Sequence, residues 1–251
     1  MTDWRLRLLG VGNAAAVELG SAMATIERNG APWLTIDCGG EGLSAYEAAY
    51  GDVPRALFMT HAHLDHIAGF ERLFVSVWFD PAWRGRVRLY VPVTLLTLLH
   101  QRVASYPNVL AEGGVNFWEA FQVIPVGDHF WRDGVRLEVF PARHHWPDTA
   151  FGLRLPGSLV WTGDTRPIPE MLAKYAASDE LIAHDCALEG NPSHSGIDDL
   201  EREYPRELLA RCLLYHYASE ADGETLRARG YRVGTPGEVV ALRRPIDTGF
   251  A

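Results

Sequence analysis

The chain has a single lysine, Lys174, so almost all of its 23 basic side chains are arginines. Against them stand 32 acidic residues, for a net charge of −9, and no basic run breaks that background. Broad, non-specific binding to nucleic acid needs a basic footprint and is therefore not expected. Cysteine is scarce too. Cys38, Cys186 and Cys212 are far apart, form no CxxC and cannot all pair within one chain, which points to reduced thiols in a reducing compartment. No apolar run approaches the roughly 18 residues of a membrane span, so no membrane association is expected. The start, Met1-Thr2-Asp3-Trp4-Arg5, lacks the basic-then-apolar order of a signal peptide, and a cytoplasmic location is the expectation. No repeat, low-complexity tract or flexible linker divides the chain, which predicts one domain over residues 1–251.

Histidine, by contrast, is plentiful and clustered. Of ten histidines, three fall within His61-Ala62-His63-Leu64-Asp65-His66, directly behind the apolar run Ala56-Leu57-Phe58-Met59. Burying imidazoles and a carboxylate without partners costs several kcal/mol, so a core strand ending in such a knot is better suited to holding a divalent metal. Further metal-compatible side chains follow short apolar segments downstream. His144 and His145 follow Val135–Ala142, Asp164 follows Leu159-Val160-Trp161-Thr162, and His216 follows Cys212-Leu213-Leu214-Tyr215. Strands that each deliver one ligand at their end can bring residues distant in sequence to one sheet edge.

Periodicity predicts strands at Trp4–Val11, at Ala22–Arg28 and Pro32–Ile36 around the hairpin signal Asn29-Gly30, and at Ala56–Met59, Val75–Phe79 and Val87–Val91. More follow at Phe121–Val126, Val135–Ala142, Phe151–Leu155, Ser158–Thr162, Leu181–Asp185, Cys212–Tyr217 and Val239–Leu242. Helices are expected at Leu43–Tyr50, Ile67–Phe74, Thr94–Tyr106, Pro169–Ala177, Asp198–Ala210 and Gly223–Arg229, with His129 in a turn. Hairpin runs mixed with strand–helix alternation fit two sheets flanked by helices, an α/β sandwich, better than a doubly wound sheet.

These motifs resemble the metallo-β-lactamase superfamily, whose HxHxDH signature reads here as His61, His63, Asp65 and His66. The closest branch is that of tRNase Z and related phosphodiesterases. Leu9-Gly10-Val11-Gly12-Asn13, Ile36-Asp37-Cys38-Gly39, Thr162-Gly163-Asp164-Thr165 and Leu214-Tyr215-His216-Tyr217-Ala218-Ser219 support it, in the right order over nearly the whole chain. The resemblance implies a four-layer αββα fold and a two-metal site. His61, His63 and one of His144 and His145 would hold one ion; Asp65, His66 and His216 would hold the other; Asp164 would bridge them. Spacing to Phe151-Gly152-Leu153 favours His144, and neighbours on a strand face opposite ways, so both should not ligate. Mixed imidazole and carboxylate ligands suit Zn²⁺ best and also admit Mn²⁺ or Fe. Asp65 would orient the attacking water. Asp185 and His194 would form a dyad in which His194 protonates the leaving oxygen, with Asp185 where the branch usually has Glu.

Departures from the branch bear on the substrate. Only twenty positions separate His144 from Asp164, leaving no room for the basic tRNA-binding arm that many relatives carry there, so tRNA is disfavoured. The expectation is an enzyme, a binuclear hydrolase of a small or cyclic phosphodiester, with Arg143, Arg154 or Arg166 neutralising the phosphate. The alternatives are a carboxylic ester, lactone or thioester on the same site, an arm-less RNase and, last, a metal-binding scaffold without activity. A homodimer is compatible with all of them.

Overall fold

Strict alternation along one short strand shows how the layers arise. Ala56 and Phe58 face an apolar core that contains residues of both sheets, whereas Leu57 and Met59 face a second core that includes Leu73, Phe74 and Val77 of a helix. A strand buried on both faces reads as a continuous apolar run, as Ala56–Met59 does. The computed structural model describes residues 2–105, 116–177 and 179–246. In chain order its strands are β1 (Trp4–Gly10), β2 (Met23–Arg28), β3 (Ala31–Ile36), β4 (Ala56–Phe58), β5 (Val87–Pro92), β6 (Phe121–Val126) and β7 (His129–Arg132). There follow β8 (Val135–Pro141), β9 (Phe151–Leu155), β10 (Leu159–Trp161), β11 (Leu181–Asp185), β12 (Cys212–Tyr215), β13 (Arg232–Val233) and β14 (Val239–Leu242).

They form two seven-stranded sheets, ordered β14-β1-β2-β3-β4-β5-β6 and β13-β12-β11-β10-β9-β8-β7. Each sheet is antiparallel on one side and parallel on the other, the parallel parts being β3–β6 and β10–β13. The expected sandwich of two sheets between helices is what the chain adopts. The parallel halves matter most for function, because side chains just beyond the carboxyl ends of parallel strands converge on one crevice. Among the described residues no helix is long and apolar enough to cross a membrane.

Several local expectations are corrected. Val75–Phe79 is not a strand but the continuation of a helix, Phe70–Trp78. Its buried residues Phe70, Leu73, Phe74 and Val77 repeat at helical spacing, which outweighs the strand preference of Val75 and Val77. The helix expected at Asp198–Ala210 is split into Ile197–Glu203 and Arg206–Leu209. Pro205 holds Tyr204 extended, at φ −112° and ψ 140°, as a residue before proline prefers. His129 lies in β7 rather than a turn, and β7 pairs with β8 across Asp133-Gly134, both with positive φ, another hairpin signal of the Asn29-Gly30 kind. The segment after Val93 is a 3₁₀ turn, a single α turn and a π turn ending at Ala104; Tyr106 lies outside the described residues.

Candidate active site

Five of the site residues expected from sequence sit at or within a few residues of a strand's carboxyl end, Asp65 and His66 lie in the helical turn Leu64–Ile67 after β4, and His194 lies on the loop after β11. His61 follows β4, His144 follows β8, Asp164 follows β10, Asp185 ends β11 and His216 follows β12. One of these positions, His216, and a further residue, Asp37, need unusual backbone. His216 has φ +74° and Asp37, after β3, has φ +66°, a left-handed region that Asn, Asp and His tolerate better than other side chains. Asp164 depends on its neighbour. Gly163 has φ +66°, and a Cβ there would lie 2.7 Å from the Phe151 carbonyl oxygen.

Asp164 is the hub. Its Oδ2 lies 3.6 Å from His61 Nε2, 3.2 Å from His66 Nε2, 4.0 Å from His144 Nε2 and 3.2 Å from His216 Nε2. Asp65 Oδ2 is 3.5 Å from His66 Nε2 and 3.9 Å from His216 Nε2. His63 Nδ1 and His144 Nε2 are 3.0 Å apart. The structure thus brings together two groups, His61–His63–His144–Asp164 and Asp65–His66–Asp164–His216, whose ligand atoms lie within 4.8 Å of one another in each.

A shared pattern fixes the rings. His66 Nδ1 donates to Asp37 Oδ2 (2.8 Å), and His144 Nδ1 donates to the Ser193 carbonyl (3.0 Å). Thr60 Oγ1 donates to Asp37 Oδ2 (2.6 Å), which leaves the Thr60 hydroxyl oxygen to accept from His61 Nδ1 at 3.1 Å. His216 Nδ1 lies 3.4 Å from Asp185 Oδ1. Each outer nitrogen meets a protein oxygen, so each Nε2 lone pair turns inward. Burial and the neighbouring imidazoles hold His61 well below the usual histidine range, and burial pushes His144 down to about 4, so both rings stay neutral. Burial opposes charge on His66 as well, but Asp164 and Asp37 outweigh it and raise that ring; Asp164 and Asp185 do the same for His216. Such carboxylate density calls for cations.

A metal fits this arrangement on independent grounds. His61 Nε2, His216 Nε2 and Asp164 Oδ1 are buried with no hydrogen-bond partner, which a protein interior tolerates poorly unless a ligand completes them. Tetrahedral Zn–N bonds of about 2.0–2.1 Å set neighbouring ligand atoms about 3.3 Å apart, close to the separations around Asp164.

His145 is exposed whereas His144 is buried. The alternation argument does not apply to them, because β8 ends at Pro141 and both lie on the following loop. The dyad residues are also brought together. Asp185, fully buried, accepts from His194 Nδ1 (2.9 Å) and the Thr165 amide (2.8 Å) through Oδ2. The ring of His194 stacks on that of His216 at 4.7 Å. A cavity of about 270 Å³, bordered by His63, Asp65, Asp164, His194 and His216 among others, opens onto both groups and the dyad. A larger cavity, about 680 Å³, lies elsewhere beside Arg206 and Tyr231 and contains none of these side chains.

The arginines expected to meet phosphate do not border the cavity beside Asp164. Arg154 is locked between Glu138 and Glu180, Arg143 binds the Pro167 carbonyl and Glu170, and Arg166 binds the Asn191 carbonyl. Their neighbours, not substrate, hold them, and sequence could not show that. Asp37 escaped the sequence reading as a site residue because it binds through other side chains. Its Oδ1 accepts from the Thr60 amide (2.8 Å), so a single carboxylate positions both His61 and His66. Asp37→Asn places an amide where either His66 or the Thr60 amide loses its acceptor. Metal affinity measured by competition with a chelator is expected to fall about 10- to 100-fold, as for other outer partners of metal-binding histidines.

A family profile described as "Anti-Pycsar protein Apyc1" matches residues 4–234. The Anti-Pycsar protein Apyc1 of Bacillus phage BSP38 is 25% identical over 242 residues, covering 87% of this chain and 90% of that protein. A Ribonuclease Z of Mycobacterium sp. (strain KMS) is 27% identical over 243 residues, covering 89% of this chain and 79% of that protein. The solved structure of the metallo-β-lactamase fold protein YhfI from Bacillus subtilis aligns with a TM-score of 0.75 at 16% identity, covering 96% of this chain and all of that one. The profile match runs from the first strand to the thirteenth, and with it the chain belongs to the Anti-Pycsar protein Apyc1 family, on a metallo-β-lactamase fold.

Proposed function

We propose that the chain is a binuclear metal-dependent phosphodiesterase acting on a small or cyclic phosphodiester. The observation that carries this reading is the Asp185–His194 dyad set beside two ligand groups that share Asp164. His61, His63 and His144 would hold one ion, Asp65, His66 and His216 the other, and Asp164 both. Four carboxylates, Asp37, Asp65, Asp164 and Asp185, crowd this region, and two divalent cations balance their charge. Zn²⁺ suits the ligand set best. Two such ions, when bound, supply Lewis acidity to water and to the phosphoryl oxygens.

The protein's own side chains supply the rest. Asp65, half-buried at the cavity wall, accepts a hydrogen bond from the attacking water and so aims it. Asp185 holds the Nδ1 proton of His194, which leaves Nε2 to carry the proton delivered to the departing oxygen. An alkoxide leaving from phosphorus needs that proton, as does the alkoxide expelled from a carboxylic ester or lactone, whereas the thiolate of a thioester departs without it, so the dyad favours an oxygen ester over a thioester. The name Ribonuclease Z denotes cleavage of RNA, a polymer of the same linkage. Here β9 and β10 fill the interval between His144 and Asp164, where the notable tRNA-binding arm would stand. Short RNA therefore belongs among the substrates to be compared.

Among the described residues, no lysine or arginine borders the catalytic cavity. A singly charged diester therefore suits it better than a doubly charged monoester. The test is a panel of cyclic nucleotides, bis(p-nitrophenyl) phosphate, p-nitrophenyl phosphate, short RNA, a lactone and a thioester, each with metal-reconstituted protein. Diesters are expected to exceed the monoester in kcat/KM by at least about 100-fold, a difference of some 2.7 kcal/mol in transition-state binding. Preferred turnover of the lactone or thioester would overturn the phosphodiester reading.

A further inference from the structure

Without a bordering lysine or arginine, something else must meet the phosphoryl oxygens that face away from the metals. Two asparagines border the catalytic cavity, from different loops. Asn13 follows β1, and its backbone amide reaches the carbonyl of Tyr217, next to His216. Asn191 opens the loop that carries His194.

Each has its side-chain oxygen already engaged. Asn13 Oδ1 accepts from the Ala15 amide at 3.0 Å. Asn191 Oδ1 accepts from the amides of Ser193 (2.8 Å) and His194 (3.0 Å). These are turns in which a side-chain oxygen caps an amide two residues on, and they fix which end of each carboxamide is committed. Among the described residues, no hydrogen bond uses either Nδ2. An aspartate would serve either turn equally well, since only the oxygen takes part. What asparagine adds in both places is a neutral NH₂ donor at the wall of a cavity otherwise bordered by carboxylates, imidazoles and alanines.

Resting on the phosphodiesterase reading, we propose that Asn13 and Asn191 bind the substrate's phosphoryl and ester oxygens through Nδ2. They would act as uncharged donors in place of the cationic clamp that phosphate sites often use. Donors held in place before the reaction stabilise charge that develops on oxygen, and neutral ones do so without strengthening the binding of a doubly charged monoester product. Asn191 adds a second effect: its Oδ1 positions the amide of the proton donor His194, so one side chain orders both the leaving-group acid and the phosphoryl group.

Isosteric replacement separates the donor from the turn. Asn13→Asp and Asn191→Asp keep the capping oxygen and replace NH₂ by oxygen; Asn13→Ser and Asn191→Ser stay neutral and can still cap, more weakly. Metal content and melting temperature are measured beside kinetics on a cyclic nucleotide and bis(p-nitrophenyl) phosphate. Expected is a loss of about 10- to 100-fold in kcat/KM for each Ser and Asp variant, at wild-type metal content and melting temperature, on the scale of removing one oxyanion donor. Variants within about two-fold of an active wild type overturn the inference and leave the functional reading intact. A loss that tracks falling metal content or melting temperature also overturns it, by assigning the asparagines a structural role. A metal-loaded wild type inactive on every phosphodiester overturns the functional reading, and this inference with it.

Discussion

Asp164→Ala is expected to strip the metals and lower turnover by more than about 1000-fold, well beyond the 10- to 100-fold typical of outer-partner changes. Its Oδ2 stands between four imidazole nitrogens at 3.2–4.0 Å, so no other carboxylate can take its place at both ion positions. Without it, His66 and His216 each lose one of the two carboxylates that raise their proton affinity. His63→Ala should have the same effect through the other group, because His63 and His144 meet at 3.0 Å on that side. Metal content by mass spectrometry or atomic absorption, measured with steady-state rates, checks both. Undiminished turnover in either variant would contradict a two-metal site.

His194→Ala is expected to act differently. Metal content should hold, since His194 reaches the site through Asp185 Oδ2 and stacks on His216 without sharing its inward nitrogen. The rate should fall by about 100- to 10 000-fold for a nucleotide, whose leaving alkoxide needs a proton, as loss of a general acid typically does. For bis(p-nitrophenyl) phosphate the loss should be smaller, because p-nitrophenolate departs without help. Asp185→Asn should mimic it in part and also weaken metal binding, because Asp185 Oδ1 faces His216 Nδ1 at 3.4 Å. Equal losses for both leaving groups, or metal lost in step with rate, would show that His194 is not the acid.

Much of this site could be read in the sequence, because each metal-compatible side chain is preceded by a short apolar strand. A buried strand has little reason to end in His61, Asp164 or His216 unless they meet something, and the strand ends proved to be one crevice. Less legible was whatever depended on partners distant in sequence. Asp37 stands out in the sequence only as part of Ile36-Asp37-Cys38-Gly39, yet its carboxylate is bonded to Thr60 and His66. Arg154 looked available for phosphate, yet Glu138 and Glu180 enclose it. Val75–Phe79 looked like a strand because β-branched residues are common in strands, and only the burial of Leu73, Phe74 and Val77 together reveals the helix. Spacing favours His144 over His145, but the physical difference is the path of a loop that places one ring inside and leaves the other exposed.

The most direct measurement is stepwise reconstitution. Chelated protein is titrated with Zn²⁺ while bound metal and hydrolysis of a cyclic nucleotide are followed together. Turnover is expected to stay near zero through the first equivalent and to rise as the second binds, saturating at two ions per chain. Full turnover in the metal-free protein, saturation at one ion, or two bound ions with no phosphodiester hydrolysis would contradict a binuclear phosphodiesterase.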